Sequence, residues 1–140
     1  MKITILLFSV LLFSTVVSGQ NLEGRWNGTF SGYSVFSGEH KIFLDFYKIN
    51  DTTFQVLNTT ISPLGDTCIT LLKGNFYEKN KLHLEEIKVI KDYPGKSSEY
   101  CLMTFALSYI ERKKRITLDG RWDTKYIECG SGLVFLRKQL

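Results

Sequence analysis

The chain has 140 residues, 44% of them hydrophobic and 23% charged, with a formal net charge of +4. That length suits one domain rather than two, and so weak a basic balance implies no nucleic-acid partner. Three cysteines allow one internal bridge at most and leave one thiol over.

The first twenty residues read MKITILLFSVLLFSTVVSGQ. Lys2 is the only charge before Glu23, an apolar run spans Ile3 to Val17, and small residues Ser18 and Gly19 follow. A charged start, an apolar middle and a small-residue end make a secretory signal peptide. The run falls short of the roughly 20 residues a membrane span needs. Cleavage after Gly19 leaves residues 20–140 as a single domain: 140 less 19, or 121 residues. A chain of that size buries roughly 65% of its unfolded surface, so it folds without staples. The expected location is secreted or periplasmic, in an oxidising compartment, with no membrane span after cleavage.

Beyond residue 20 helical periodicity is missing. Eight runs rich in aromatic and β-branched residues follow one another: GRWNGTFSGY, HKIFLDFYKI, TTFQVLNTTI, CITLLKGNFYE, KLHLEEIKVIK, EYCLMTFALSYI, RITLDGRWD and GLVFLRKQ. Turn formers such as ND, SPLG, KN and DYPG separate them, which marks each run as a strand. Both prolines, Pro63 and Pro94, fall in these gaps, where no ladder hydrogen bond is lost. Ile42, Leu44 and Phe46 share one face of the second run. Met103, Phe105, Leu107 and Tyr109 share one face of the sixth, and Ile116, Leu118 and Trp122 one face of the seventh. Period two with one apolar face predicts a half-buried sheet. Eight consecutive strands on short links predict an all-β, antiparallel up-and-down meander that closes into a barrel and so removes its edges.

LEGRW at residues 22–26 and LDGRW at 118–122 nearly repeat. In a closed meander the first opens strand one and the second ends strand seven. Each glycine, Gly24 and Gly120, permits a bend, and each tryptophan, Trp26 and Trp122, is large enough to plug the interior. The other side chains expected inside are Phe30, Leu44, Phe46, Leu72, Phe76, Leu84, Phe105, Leu107, Leu118 and Phe135.

LEGRWNGTF resembles the Gly-x-Trp opening of the lipocalin and calycin barrels, here Gly24-Arg25-Trp26. The resemblance implies that Trp26 closes the base of an eight-stranded barrel against an Arg of the last strand, Arg137. GRWNGTF and ECGSGLVFLRK are also similar to small exported barrel proteins of Bacteroidetes-type bacteria.

With strand one running upward, Cys68, Cys101 and Cys129 all fall at the top. Strands six and seven are neighbours, so Cys101 and Cys129 are expected to form a disulfide and Cys68 to stay a thiol. The bridge would close a loop of about 28 residues, worth roughly 3–4 kcal/mol in the chain-entropy model. SGYSVFSG, Ser31 to Gly38, is also at the top, either as a lid or as a hairpin tip packed on the rim. An eight-stranded barrel is filled by side chains or holds one small ligand. A shallow pocket for an apolar molecule would be lined by Tyr33, Phe36, Ile42 and Met103.

No catalytic motif stands out, so an enzyme ranks last. His40 is expected at the top and His83 near the base, too far apart to cooperate, and the pair His83 and Glu85 suits solvent better than catalysis. The cysteine spacing is unlike a zinc site, and no metal or cofactor is expected. RKKR, Arg112 to Arg115, suits a solvated hairpin turn. Asn27, Asn50 and Asn58 each open an Asn-x-Thr glycosylation acceptor, which matters only in a eukaryotic secretory pathway; the favoured reading is ordinary polar strand and turn residues. The first functional expectation is a secreted or periplasmic binding barrel for a small hydrophobic molecule. The alternative is a filled barrel serving as a structural or protein-interaction module, and an outer-membrane barrel comes third. Oligomeric state is not legible.

Overall fold

The computed structural model describes residues 21–32, 38–93, 102–125 and 129–139. The leader at 1–19 lies outside the described residues. Among them, eight strands follow in order: β1 (Gly24–Gly32), β2 (Gly38–Lys48), β3 (Thr53–Ile61), β4 (Thr67–Glu78), β5 (Lys81–Lys91), β6 (Met103–Arg112), β7 (Arg115–Thr124) and β8 (Ser131–Lys138). Each pairs antiparallel with its neighbour, and β1 pairs with β8 from Trp26↔Lys138 to Ser31↔Leu133, closing the barrel.

Alternation builds this wall. In β2, His40, Ile42, Leu44 and Phe46 are buried, while Lys41 and Tyr47 are exposed. The turns carry their own chemistry. Asn80 takes φ 70° between β4 and β5, a left-handed state that asparagine tolerates. Asn50 Oδ1 accepts hydrogen bonds from the backbone N–H groups of Thr52 and Thr53, folding the link between β2 and β3. Lys113 and Lys114 form the solvated turn between β6 and β7. At Gly28 the closing seam leaves no room for a side chain, because a Cβ there would lie 1.8 Å from the carbonyl oxygen of Phe135.

The lumen is packed. Trp26, Phe30, Leu44, Phe46, Leu72, Leu84, Phe105, Leu107, Leu118 and Trp122 are all at most 2% exposed, and Phe76 packs against them partly buried. Full burial of one such aliphatic or phenyl side chain is worth roughly 1.5–3 kcal/mol. One expected lumen residue is corrected. Phe135 points outward at 38% exposure, and Val134 and Leu136 take the inner positions of β8. Leu133 to Leu136 are all apolar, so composition hides which parity faces in.

The near-repeated pentapeptide places a tryptophan at each end. Trp26 Nε1 donates to the Leu22 carbonyl at 2.9 Å near the base. Trp122 Nε1 donates to the Ser31 carbonyl at 3.0 Å near the top. Gly24 sits at φ +100°, a bend suited to glycine, whereas Gly120 lies tight against the Ala106 backbone. The two glycines do related jobs by different means.

The β4–β5 ladder carries three register shifts. Leu72 pairs with Glu86 and Leu71 with Lys88, so Ile87 is skipped. Val89 and Lys91 pair with Thr70 and Ile69, so Ile90 is skipped. Both skipped isoleucines are more than half exposed. A bulge bends its strand and re-aims the neighbouring side chains, and here the neighbour is Glu86.

Candidate functional site

The two halves of the lumen differ in chemistry. The base is apolar and sealed. Trp26 meets Phe46 and Tyr109 edge-on at 6.3 and 6.4 Å between ring centroids. The cation over Trp26 is Lys138, whose Nζ lies 5.9 Å from the ring centroid and donates to the Asn21 carbonyl. Burial lowers the Lys138 pKa from its usual value, with Glu23 opposing the shift. This corrects the expectation for Arg137. Arg137 pairs with Asn27 one step away from the Trp26↔Lys138 pair. It therefore faces outward and stacks over Phe135 at 5.3 Å.

The upper half holds most of the buried polar residues. Asn58, Thr60, Thr70 and Glu86 are at most 2% exposed, and His40 is 5% exposed. They descend from different strands through the alternation that fills the base with leucine. Leu82 and Leu84 precede Glu86 on the inner face of β5. Glu86 Oε1 accepts from the Thr70 hydroxyl at 2.6 Å and from Asn58 Nδ2 at 3.2 Å. Glu86 Oε2 accepts from the Met103 backbone N–H at 2.8 Å. The β5–β6 ladder runs from Lys81↔Ser108 only to Glu85↔Thr104. The next backbone donor of β6 on this side is thus met by a carboxylate rather than by a strand.

Above this network Thr60 and the Tyr93 hydroxyl share a 2.7 Å hydrogen bond. Burial pushes the Tyr93 phenol up to about 12, while the Thr60 bond pulls the other way. His40 stacks on Phe30 at 4.8 Å and meets Tyr93 edge-on at 6.5 Å. Cys68 is a buried thiol outside any disulfide. Asn58 Nδ2 also donates to Thr70 Oγ1 at 3.1 Å. Both amide hydrogens are therefore directed at the β4–β5 side, and Asn58 Oδ1 receives no hydrogen bond among the described residues.

Of the residues expected to line a pocket, Ile42 and Met103 are in this upper lumen, 0% and 1% exposed. Tyr33 and Phe36 lie outside the described residues, as does Cys101. Cys129 is nearly buried just before β8. His83 and Glu85 are on the outer side of β5, remote from His40. Among the described residues, no three His, Cys, Asp or Glu side chains converge as a metal site would require.

Shallow grooves lie on the outer wall among the described residues. One, of about 490 Å³, is lined by Ile110, Asp119, Leu133 and Phe135 among others. Another, of about 380 Å³, lies between Phe43, Phe135, Lys41 and Arg137.

No protein-family model matches the chain. No curated protein matches it either. The chain is similar to solved barrels. One is a de novo designed fluorescence-activating β-barrel, at 12% identity and TM-score 0.59, covering 87% of this chain and 97% of that one. Another is EF1p2_mFAP2b bound to DFHBI, at 14% identity and TM-score 0.60, covering 84% of this chain and 94% of that one. At such identities the likeness is one of fold: an eight-stranded antiparallel barrel.

The polar network of Asn58, Thr70 and Glu86 is not among the residues expected from sequence. Its signal lies in KLHLEEIKVIK, where a strict alternation from Leu82 and Leu84 puts Glu86 inside.

Proposed function

We propose that the protein is an exported, lipocalin-like barrel that binds a small apolar molecule in its upper lumen. The observation that carries this reading is the buried polar network of Asn58, Thr70 and Glu86 above an apolar base. Ligand sites are largely apolar with a few placed polar groups. A barrel needing only stability gains little from a buried carboxylate, which costs desolvation and demands donors. The sealed base and the ladder that stops at Glu85↔Thr104 favour the upper end as the binding end. One of the similar barrels was solved with DFHBI bound, which suits a fold of this size holding one small molecule.

Export rests on the leader read at 1–19, and the mass of the mature protein tests it, with Gln20 as the expected first residue. In that oxidising setting Cys101 and Cys129 form the disulfide. Charged side chains such as Lys41, Lys73, Lys88 and Arg121 are exposed on the outer wall, the reverse of the apolar band that faces lipid in outer-membrane barrels.

A second reading has one observation of its own. Leu133 is 64% and Phe135 38% exposed beside the larger outer groove, as a filled barrel with a protein-interaction face would have it. Thermal denaturation with a panel of small hydrophobic compounds separates the two. A rise in Tm that depends on compound concentration supports the lumen. No shift across the panel, with a lumen lacking any void in a crystal structure, favours the outer face.

A further inference from the structure

Given the binding-barrel reading above, on which this inference rests, we infer that the ligand presents a hydrogen-bond donor, a hydroxyl or an N–H, to Asn58 Oδ1. Asn58 is 1% exposed. Its orientation is fixed: Nδ2 donates both to Thr70 Oγ1 at 3.1 Å and to Glu86 Oε1 at 3.2 Å. A flipped amide would set its oxygen against the Glu86 carboxylate, which is an acceptor when ionised. Oδ1 is therefore held as an acceptor, and no donor among the described residues reaches it.

A buried acceptor without a donor costs free energy that a hydrogen bond recovers. Leu44 and Thr70 flank Asn58 across the wall. The strand alternation puts Val56 and Thr60 below and above it on the same face. The surroundings are thus mixed, and a molecule seated here meets apolar contacts and one unmet acceptor. That chemistry selects an apolar body with a donor at its buried end. A carboxylate or ether oxygen at the same place would face Oδ1 acceptor to acceptor. Water is the competing donor, and a ligand that brings its own donor replaces it without loss.

The test uses two probes of nearly equal shape, 2-naphthol and 2-methoxynaphthalene, of which only the first donates. Affinities are measured by calorimetry on the mature protein and on Asn58→Ala. Naphthol is expected to bind wild type about ten-fold more tightly than the ether, the equivalent of one hydrogen bond. Asn58→Ala is expected to bring the two probes to near parity by weakening naphthol alone. A measurement in the wild-type protein stands beside the variant: the Asn58 side-chain amide resonances shift with naphthol and stay in place with the ether. Equal affinities in wild type, or a preference that survives Asn58→Ala, overturns the inference while leaving the binding barrel intact. Failure of both probes to bind wild type overturns the binding barrel and this inference with it.

Discussion

Glu86 offers the sharpest test of the upper lumen, through two substitutions that remove its acceptors in different numbers. Glutamine keeps one oxygen. If that oxygen takes the Oε1 place, Thr70 and Asn58 remain served, and the Met103 N–H faces the new amide NH2. If the amide turns over, Met103 is served and the other pair is not. Either way one side of the network loses its acceptor, at about 1–3 kcal/mol for a buried unsatisfied donor. Leucine removes both oxygens and strands donors on three strands. Partial relief comes from Thr70 rotating its hydroxyl and from the desolvation that the carboxylate no longer suffers. Removing one partner of a buried network still costs about 3–5 kcal/mol. For a domain of this size one kcal/mol moves Tm by about 3–5 °C. The expected losses are then roughly 3–15 °C for Glu86→Gln and roughly 9–25 °C for Glu86→Leu. Urea and thermal denaturation followed by tryptophan emission measure them, since both Trp26 and Trp122 are fully buried. If Glu86→Leu is as stable as wild type, the three hydrogen bonds do not organise this end of the barrel.

Three further outcomes follow from other parts of the structure. Lys138→Ala should cost about 0.5–1.5 kcal/mol through its bond to Asn21 and shift Trp26 emission to the red, whereas Arg137→Ala on the outer wall should stay within about 0.5 kcal/mol; equal effects would refute the assignment of Lys138 as the base cation. The folded pKa of Tyr93, about 12, lies above its ordinary value of 10.0. Its contribution to stability is therefore complete below pH 10 and disappears as pH rises from there towards 12. Denaturation midpoints across that window should fall less steeply in Tyr93→Phe, and identical slopes would count against a buried phenol. Thiol titration should find no reactive group in the native oxidised protein and one, mapping to Cys68, after denaturation. Cys129→Ser should cost roughly 3–4 kcal/mol, and three titrating thiols in the oxidised mature protein would remove the bridge.

The barrel was legible because its evidence is repeated in every strand. Inner residues such as Ile42, Leu44 and Phe46 alternate with outer ones, and most turns between strands carry Asn, Gly or Pro. Legibility failed where a local pattern was degenerate. Leu133 to Leu136 give no parity, so pattern alone puts Phe135 on the wrong face. Arg137 and Lys138 are adjacent and both basic, and only the register of the closing seam decides which one faces Trp26. The site was hidden for a different reason. Its members, Asn58, Thr70 and Glu86, are 12 to 28 residues apart in sequence, and each alone looks like a solvent-facing polar residue. Alternation puts each of them on an inner face, but their partners come from other strands, which no single strand pattern announces.

Seven of the eight strand pairings join consecutive segments, and each can form as soon as its second strand has emerged from the ribosome. The eighth joins segments about a hundred residues apart, and relative to a tight hairpin that span adds about 3 kcal/mol of closure entropy. Until Ser131–Lys138 has been synthesised, the first strand is a bare margin that another nascent chain can occupy. The same arrangement makes the last strand separable: a chain severed before Ser131 presents a groove of unmet backbone donors and acceptors. A peptide of Ser131–Lys138 added in trans should fill it, restoring Val134 and Leu136 to the lumen and turning a closed cylinder into a two-piece reporter.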